Sequence, residues 1–125
     1  MKAVLVDSDI IVEVMRRRNL QVLARWESLI QSSTPVACTP VTVAELWHGA
    51  LLHEFSALEA LFNALDCVSL DKSIGRRAGA YLQQFAKSHA LEIADALIAA
   101  AASLHDLQLW TRNRKHYPMK DIEFF

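Results

Sequence analysis

With 125 residues, the chain has room for one domain and a sizeable core. An apolar fraction of 53% excludes a disordered chain, and a net charge of −1 excludes a polycation that wraps nucleic acid through bulk charge. Three glycines and three prolines leave little for long irregular loops, while abundant Ala and Leu favour helix. In chain order, residues 2–6 read as a short buried strand ended by Asp7-Ser8-Asp9, with Ser8 or Asp9 capping a helix that carries Ile10, Ile11, Val14 and Met15. That helix ends in the run Arg16-Arg17-Arg18, where cations suit its dipole. Residues 20–30 form a second amphipathic helix with Val22, Leu23, Trp26, Leu29 and Ile30 on one face. A loop at Ser32-Ser33-Thr34-Pro35 leads to a strand over residues 36–39, followed by Pro40. Thr42 then caps a helix carrying Glu45, in the spacing of a capping box.

Further helices are expected over residues 55–65, 72–89 (capped by Asp71) and 93–105, the last very rich in Ala. Brief strands are expected at 67–70 and 108–110, then a polar loop over 111–118 and a last edge strand at 122–125. Short apolar strands alternating with longer helices imply an α/β domain whose sheet is mainly parallel, with four to five strands. Cys38 and Cys67 have neither zinc-ribbon nor redox spacing, so two reduced, buried thiols are expected. The opening apolar run is shorter than a signal-peptide core or a membrane span, so a cytoplasmic address away from membranes is expected.

In an open parallel sheet, ligands bind at the carboxyl ends of the strands. Asp7 ends the first strand, Glu45 and Asp95 lie near the starts of two helices, and Asn113 follows the strand ending at Trp110. Alone, Asp7 reads equally well as a helix cap, Glu45 as an exposed or capping glutamate, and Asp95 as an ordinary first-turn aspartate. Together they suggest one acid cluster. Carboxylates in one pocket repel, and a hard divalent cation such as Mg²⁺ or Mn²⁺ removes that penalty while leaving positions for phosphate oxygens.

Four stretches, in order and across almost the whole length, carry a family likeness: Val4-Leu5-Val6-Asp7-Ser8-Asp9-Ile10-Ile11, Thr39-Pro40-Val41-Thr42-Val43-Ala44-Glu45-Leu46, Ile93-Ala94-Asp95-Ala96-Leu97-Ile98-Ala99-Ala100, and Leu109-Trp110-Thr111-Arg112-Asn113-Arg114-Lys115-His116-Tyr117. The chain resembles a PIN-domain ribonuclease of the VapC type, the toxin of a toxin–antitoxin pair. The resemblance implies a PIN-like three-layer α/β/α sandwich and Mg²⁺- or Mn²⁺-dependent endonucleolytic cleavage of RNA, transfer RNA among the candidate substrates. It also implies a VapB-like antitoxin partner and a homodimer. It maps the family's acids to Asp7, Glu45 and Asp95 as catalytic and metal-binding residues, with Asp9 supporting the first acid and Thr111 and Asn113 matching the last motif. Many relatives carry a fourth acid at the position of Asn113 or of His116; its absence here leads to an expectation of one firmly bound metal. Ser8 and Thr111 are expected to hydrogen-bond water or phosphate, and Arg112, Arg114 and Lys115 to contact RNA phosphates. Two other readings compete: a non-catalytic module of the same fold that binds RNA or protein, and a haloacid-dehalogenase-like phosphatase suggested by Asp7-Ser8-Asp9 after a strand. The latter lacks a later acidic pair.

Overall fold

The computed structural model describes residues 2–125. Five strands, β1 (Val4–Val6), β2 (Val36–Cys38), β3 (Asp66–Cys67), β4 (Gln108–Trp110) and β5 (Glu123–Phe124), form one sheet in the order β3-β2-β1-β4-β5. Every neighbouring pair is parallel, so the expected mainly parallel sheet is parallel throughout. Six helices cover it: α1 (Ser8–Arg16), α2 (Leu20–Gln31), α3 (Pro40–Gly49), α4 (Phe55–Asn63), α5 (Lys72–His89) and α6 (Ile93–Leu104).

The strand order reverses at β1, and this reversal places the site. Val4, Leu5 and Val6 are fully buried, as a central parallel strand covered on both faces must be. Alternate side chains divide between two layers. Leu5, Ala37 and Leu109 join α5 and α6 in one core, while Val4, Val6, Val36, Cys38 and Trp110 join Ile10, Ile11, Val14 and Leu29 in the other. The Ala-rich stretch of α6 packs as core: Ala96 and Ala99 to Ala102 are buried, and their small side chains let this helix lie close to its neighbours. The register Val6↔Trp110 sets the residues that follow, Asp7 and Thr111, side by side at the carboxyl edge of β1 and β4.

Several local expectations are corrected. Neither Ser8 nor Asp9 caps α1; Asp7 does, its carboxylate accepting from the Ser8 N–H at 2.8 Å. Thr39 rather than Thr42 caps α3, because Pro40 occupies the first turn, where a missing N–H costs nothing. Thr42 is buried within that turn, and Glu45 lies beyond reach of a capping box. The third strand is Asp66–Cys67, starting one residue before the expected 67–70 and ending three residues sooner, and Ile30 is exposed. Cys38 is buried but Cys67 is exposed, since β3 lies at a sheet edge. Among the described residues, no helix is long and apolar enough to cross a membrane.

Candidate active site

Asp7 is a buried carboxylate held by three hydrogen-bond donors. It is 8% exposed. Its Oδ1 accepts from the Ser8 N–H, and its Oδ2 accepts from the Thr111 hydroxyl at 2.9 Å and the Tyr117 phenol at 2.8 Å. Its own N–H donates to the Trp110 carbonyl at 3.0 Å, which ties the carboxylate's backbone to the end of β4. Three donors on one carboxylate leave its rotamer little freedom.

Asp95 approaches from the first turn of α6, where the helix dipole favours an anion. Its Oδ1 is 3.5 Å from the Tyr117 phenolic oxygen. The phenol has one hydrogen, and the shorter contact gives it to Asp7; the longer one records how close the two carboxylates come. Burial, followed by the Asp7 charge, pushes the Asp95 carboxyl above its ordinary value; Glu45 adds to the rise and His116 opposes it. His116 Nδ1 is 3.8 Å from Asp95 Oδ2, an ion pair when the imidazole is protonated.

Glu45 is exposed on α3, and its Oε1 accepts from the Ser8 hydroxyl at 2.6 Å. Asp9 turns toward the β4 loop. Its Oδ2 accepts from the Arg112 N–H at 3.0 Å, and the Thr111 hydroxyl lies at 3.4 Å. Its Oδ1 is buried with no hydrogen-bond partner among the described residues. Burial, then the Asp7 charge, pushes the Asp9 carboxyl up to about 6. The hydroxyls of Ser8 and Thr111, expected to meet water or phosphate, are therefore committed to the carboxylates of Glu45 and Asp7. Thr111 is further fixed by the Asn113 N–H at 3.1 Å.

The structure thus gathers Asp7, Asp95, Glu45, Asp9, Ser8 and Thr111 at one sheet edge. They do not close on one point: among the described residues, no three His, Cys, Asp or Glu side chains form a complete ligand set. Asn113 is exposed, and Arg112 is held by Glu13 at 2.8 Å rather than standing free. Sequence reasoning assigned no role to Tyr117. It is 3% exposed, and burial followed by the Asp7 charge pushes its phenol far above the ordinary value. A hydroxyl-bearing aromatic in a polar loop was the available signal, since such a ring buries its body only if its O–H finds an acceptor.

The donor set fits a hard divalent cation. All the candidate ligands are oxygens, one buried carboxylate oxygen of Asp9 is unpartnered, and Asp95 is strained by like charges with one histidine facing it.

A doubly covered parallel sheet with acids at its strand-order reversal defines an open α/β domain whose ligand site lies at the carboxyl ends of the strands. The PIN domain family model matches residues 4–122, and the chain belongs to that family. It is 35% identical over 118 residues to Ribonuclease VapC10 of Mycobacterium tuberculosis, covering 93% of this chain and 86% of that protein. It is 32% identical over 116 residues to Ribonuclease VapC19 of the same species, covering 92% of each. The fold is similar to that in the crystal structure of DNA-bound VapBC from Salmonella typhimurium, with a TM-score of 0.82 and 16% identity over 100% of this chain and 98% of that one.

Proposed function

We propose that this protein is a divalent-metal-dependent endoribonuclease and the toxin of a VapBC-type toxin–antitoxin pair. The observation that carries the reading is the convergence of Asp7, Asp95 and Glu45 on the carboxyl edge of β1 and β4, although they are scattered over 88 positions of sequence. Asp7, Asp95 and Glu45 would hold one Mg²⁺ or Mn²⁺. A bound ion of this kind supplies Lewis-acid chemistry, drawing charge from a phosphodiester and making a water easier to deprotonate.

The chain's own residues do the positioning. Ser8, Thr111 and Tyr117 lock Asp7 in one orientation, so its alignment costs no reorganisation during reaction. Glu45, exposed and held among the described residues by Ser8, would turn toward the ion or a water. Asp9 keeps the β4 loop docked through the Arg112 N–H, and the exposed Arg114 and Lys115 that follow would contact RNA phosphates. Structured RNA, with transfer RNA first, is the proposed substrate. Support for an antitoxin partner comes from an open groove of about 600 Å³ beside the candidate site, lined by Val12, Met15, Leu46, Leu51 and Leu58 together with Ser8, Glu45, Arg16 and Arg18. Leu52 and Phe55, in and just after the short turn Leu52–Glu54, are exposed.

The test is cleavage of a mixed RNA pool by the purified chain with Mg²⁺ or Mn²⁺. Asp7→Asn and chelation should each abolish cleavage, by at least about a hundredfold, with the fold unchanged. Sequencing of RNA ends after expression, wild type against Asp7→Asn, identifies the substrate. Metal binding without cleavage of any RNA would favour the binding-module reading; undiminished cleavage by Asp7→Asn would overturn the site assignment.

A further inference from the structure

Two arginines outside the carboxylate cluster are held by aromatic rings instead of by acids. The Arg25 guanidinium carbon lies 4.0 Å from the Phe125 ring centroid and 5.4 Å from that of Trp110. The Arg114 guanidinium carbon lies 4.9 Å from the Phe124 centroid, and its Nη2 donates to the Phe125 carbonyl at 3.3 Å. Phe124 and Phe125 are successive residues at the end of β5, so they point to opposite faces of the sheet. The two guanidinium groups therefore flank the carboxyl end of an edge strand, one on each side.

Their surroundings differ from those of Arg112 and Arg77. Arg112 is paired with Glu13 and Arg77 with Asp121, whereas among the described residues neither Arg25 nor Arg114 forms an ion pair with an Asp or Glu side chain. A guanidinium resting on a ring keeps its full charge and its N–H edge, and its outer plane is available to a second flat group. Both arginines are exposed.

This end of β5 lies at the same sheet edge as Asp7, because all the strands run parallel. The link is short: Asp7 N–H bonds to the Trp110 carbonyl, and the Trp110 ring meets Phe125 at 5.2 Å and Trp26 at 6.3 Å between centroids. A nucleobase stacks on a guanidinium plane, and a phosphate takes its N–H edge; a double helix exposes no base face to do this.

We infer that Arg25 over Phe125 and Arg114 over Phe124 form a stacking platform for an unpaired stretch of RNA leading away from the carboxylate site. The inference rests on the ribonuclease reading and deepens it: the substrate would be single-stranded where it crosses β5.

The test uses the full chain carrying Asp7→Asn, so that RNA is bound but not cut, with a labelled single-stranded RNA of about ten nucleotides as the probe. Arg25→Ala with Arg114→Ala should weaken binding at least about tenfold at unchanged unfolding midpoint. Arg25→Lys with Arg114→Lys, which keeps the charge and loses the plane, should restore little of it. Unchanged binding in the alanine pair, or full recovery in the lysine pair, would overturn the platform. Photo-crosslinking of thiouridine RNA to the Asp7→Asn chain needs no change at the arginines. Crosslinks should map to Arg25, Arg114 or residues 123–125, and crosslinks confined to other peptides would overturn the inference even if the alanine pair fails to fold. If the unmodified chain cleaves RNA while the alanine pair binds normally, the platform alone falls. If the unmodified chain cuts no RNA and Asp7→Asn binds none, the ribonuclease reading falls with it.

Discussion

Removing one acid from the edge of the candidate site should make the metal-free protein more stable. Asp9 carries the perturbation to test, because burial and the neighbouring Asp7 charge push its carboxyl from an ordinary 3.8 up to about 6. The folded state therefore binds this proton more tightly than the unfolded chain does. Below the unfolded value both states are protonated and Asp9 costs nothing. As pH rises from about 4 through about 6, ionisation becomes progressively more costly in the folded state, and above that the penalty is constant. A difference of this size corresponds to about 3 kcal/mol. Asp9→Asn removes the charge, while its amide oxygen still accepts from the Arg112 N–H that docks the β4 loop. In chelator at pH 7.5 the variant should gain up to about 3 kcal/mol, or about 10 °C in unfolding midpoint for a chain of this length. Near pH 4 the difference should have fallen to about 0.5 kcal/mol. Urea unfolding of both proteins across this pH range measures the difference directly, free of titrations they share. A gain at pH 7.5 that persists undiminished at pH 4, or a variant less stable than the wild type at both, would show that desolvated charge is not what Asp9 contributes.

Two further outcomes follow from the same geometry. Tyr117→Phe removes the phenol from Asp7 Oδ2 but keeps the buried ring; it should lower stability by about 1–2 kcal/mol and Mn²⁺ affinity by about tenfold or more. Titration calorimetry of the folded variant separates the two effects, and unaltered Mn²⁺ affinity would leave Tyr117 a packing residue only. In the native protein a thiol reagent should modify Cys67 and spare Cys38 until urea unfolds the chain, as thiol counting by mass will show; equal reaction at both would contradict the burial of β2.

Much of the fold was legible in residue order alone, because it rests on local rules. The run Val4-Leu5-Val6 is apolar at every position, which only a strand covered on both faces tolerates. The long helices announced themselves through apolar spacing and through caps such as Asp71, whose carboxylate accepts from the Ile74 N–H. Where the reading slipped, two local rules competed for the same residue. Thr39 and Thr42 both suit a cap, and Pro40 decided between them by fitting only the first turn. Ser8, Asp9 and Asp7 all suit the cap of α1, and Asp7 won because the backbone leaves β1 at that residue.

The candidate acids, whose metal-binding role is proposed, were likewise visible in the sequence, since Asp7, Glu45 and Asp95 stand in motifs of recognisable spacing. Their relation to one another was not. It depends on the parallel register of β1 and β4, which sets Asp7 beside Thr111, and on the docking of α6, which brings Asp95 toward Tyr117. The same register turned Ser8 and Thr111 from expected ligands of water into anchors for carboxylates, paired Arg112 with Glu13, and left Arg25 and Arg114 resting on rings. Periodicity and capping act over a few residues and can be read along the chain; hydrogen bonds and ring contacts between positions up to 121 apart exist only once the sheet has set its register.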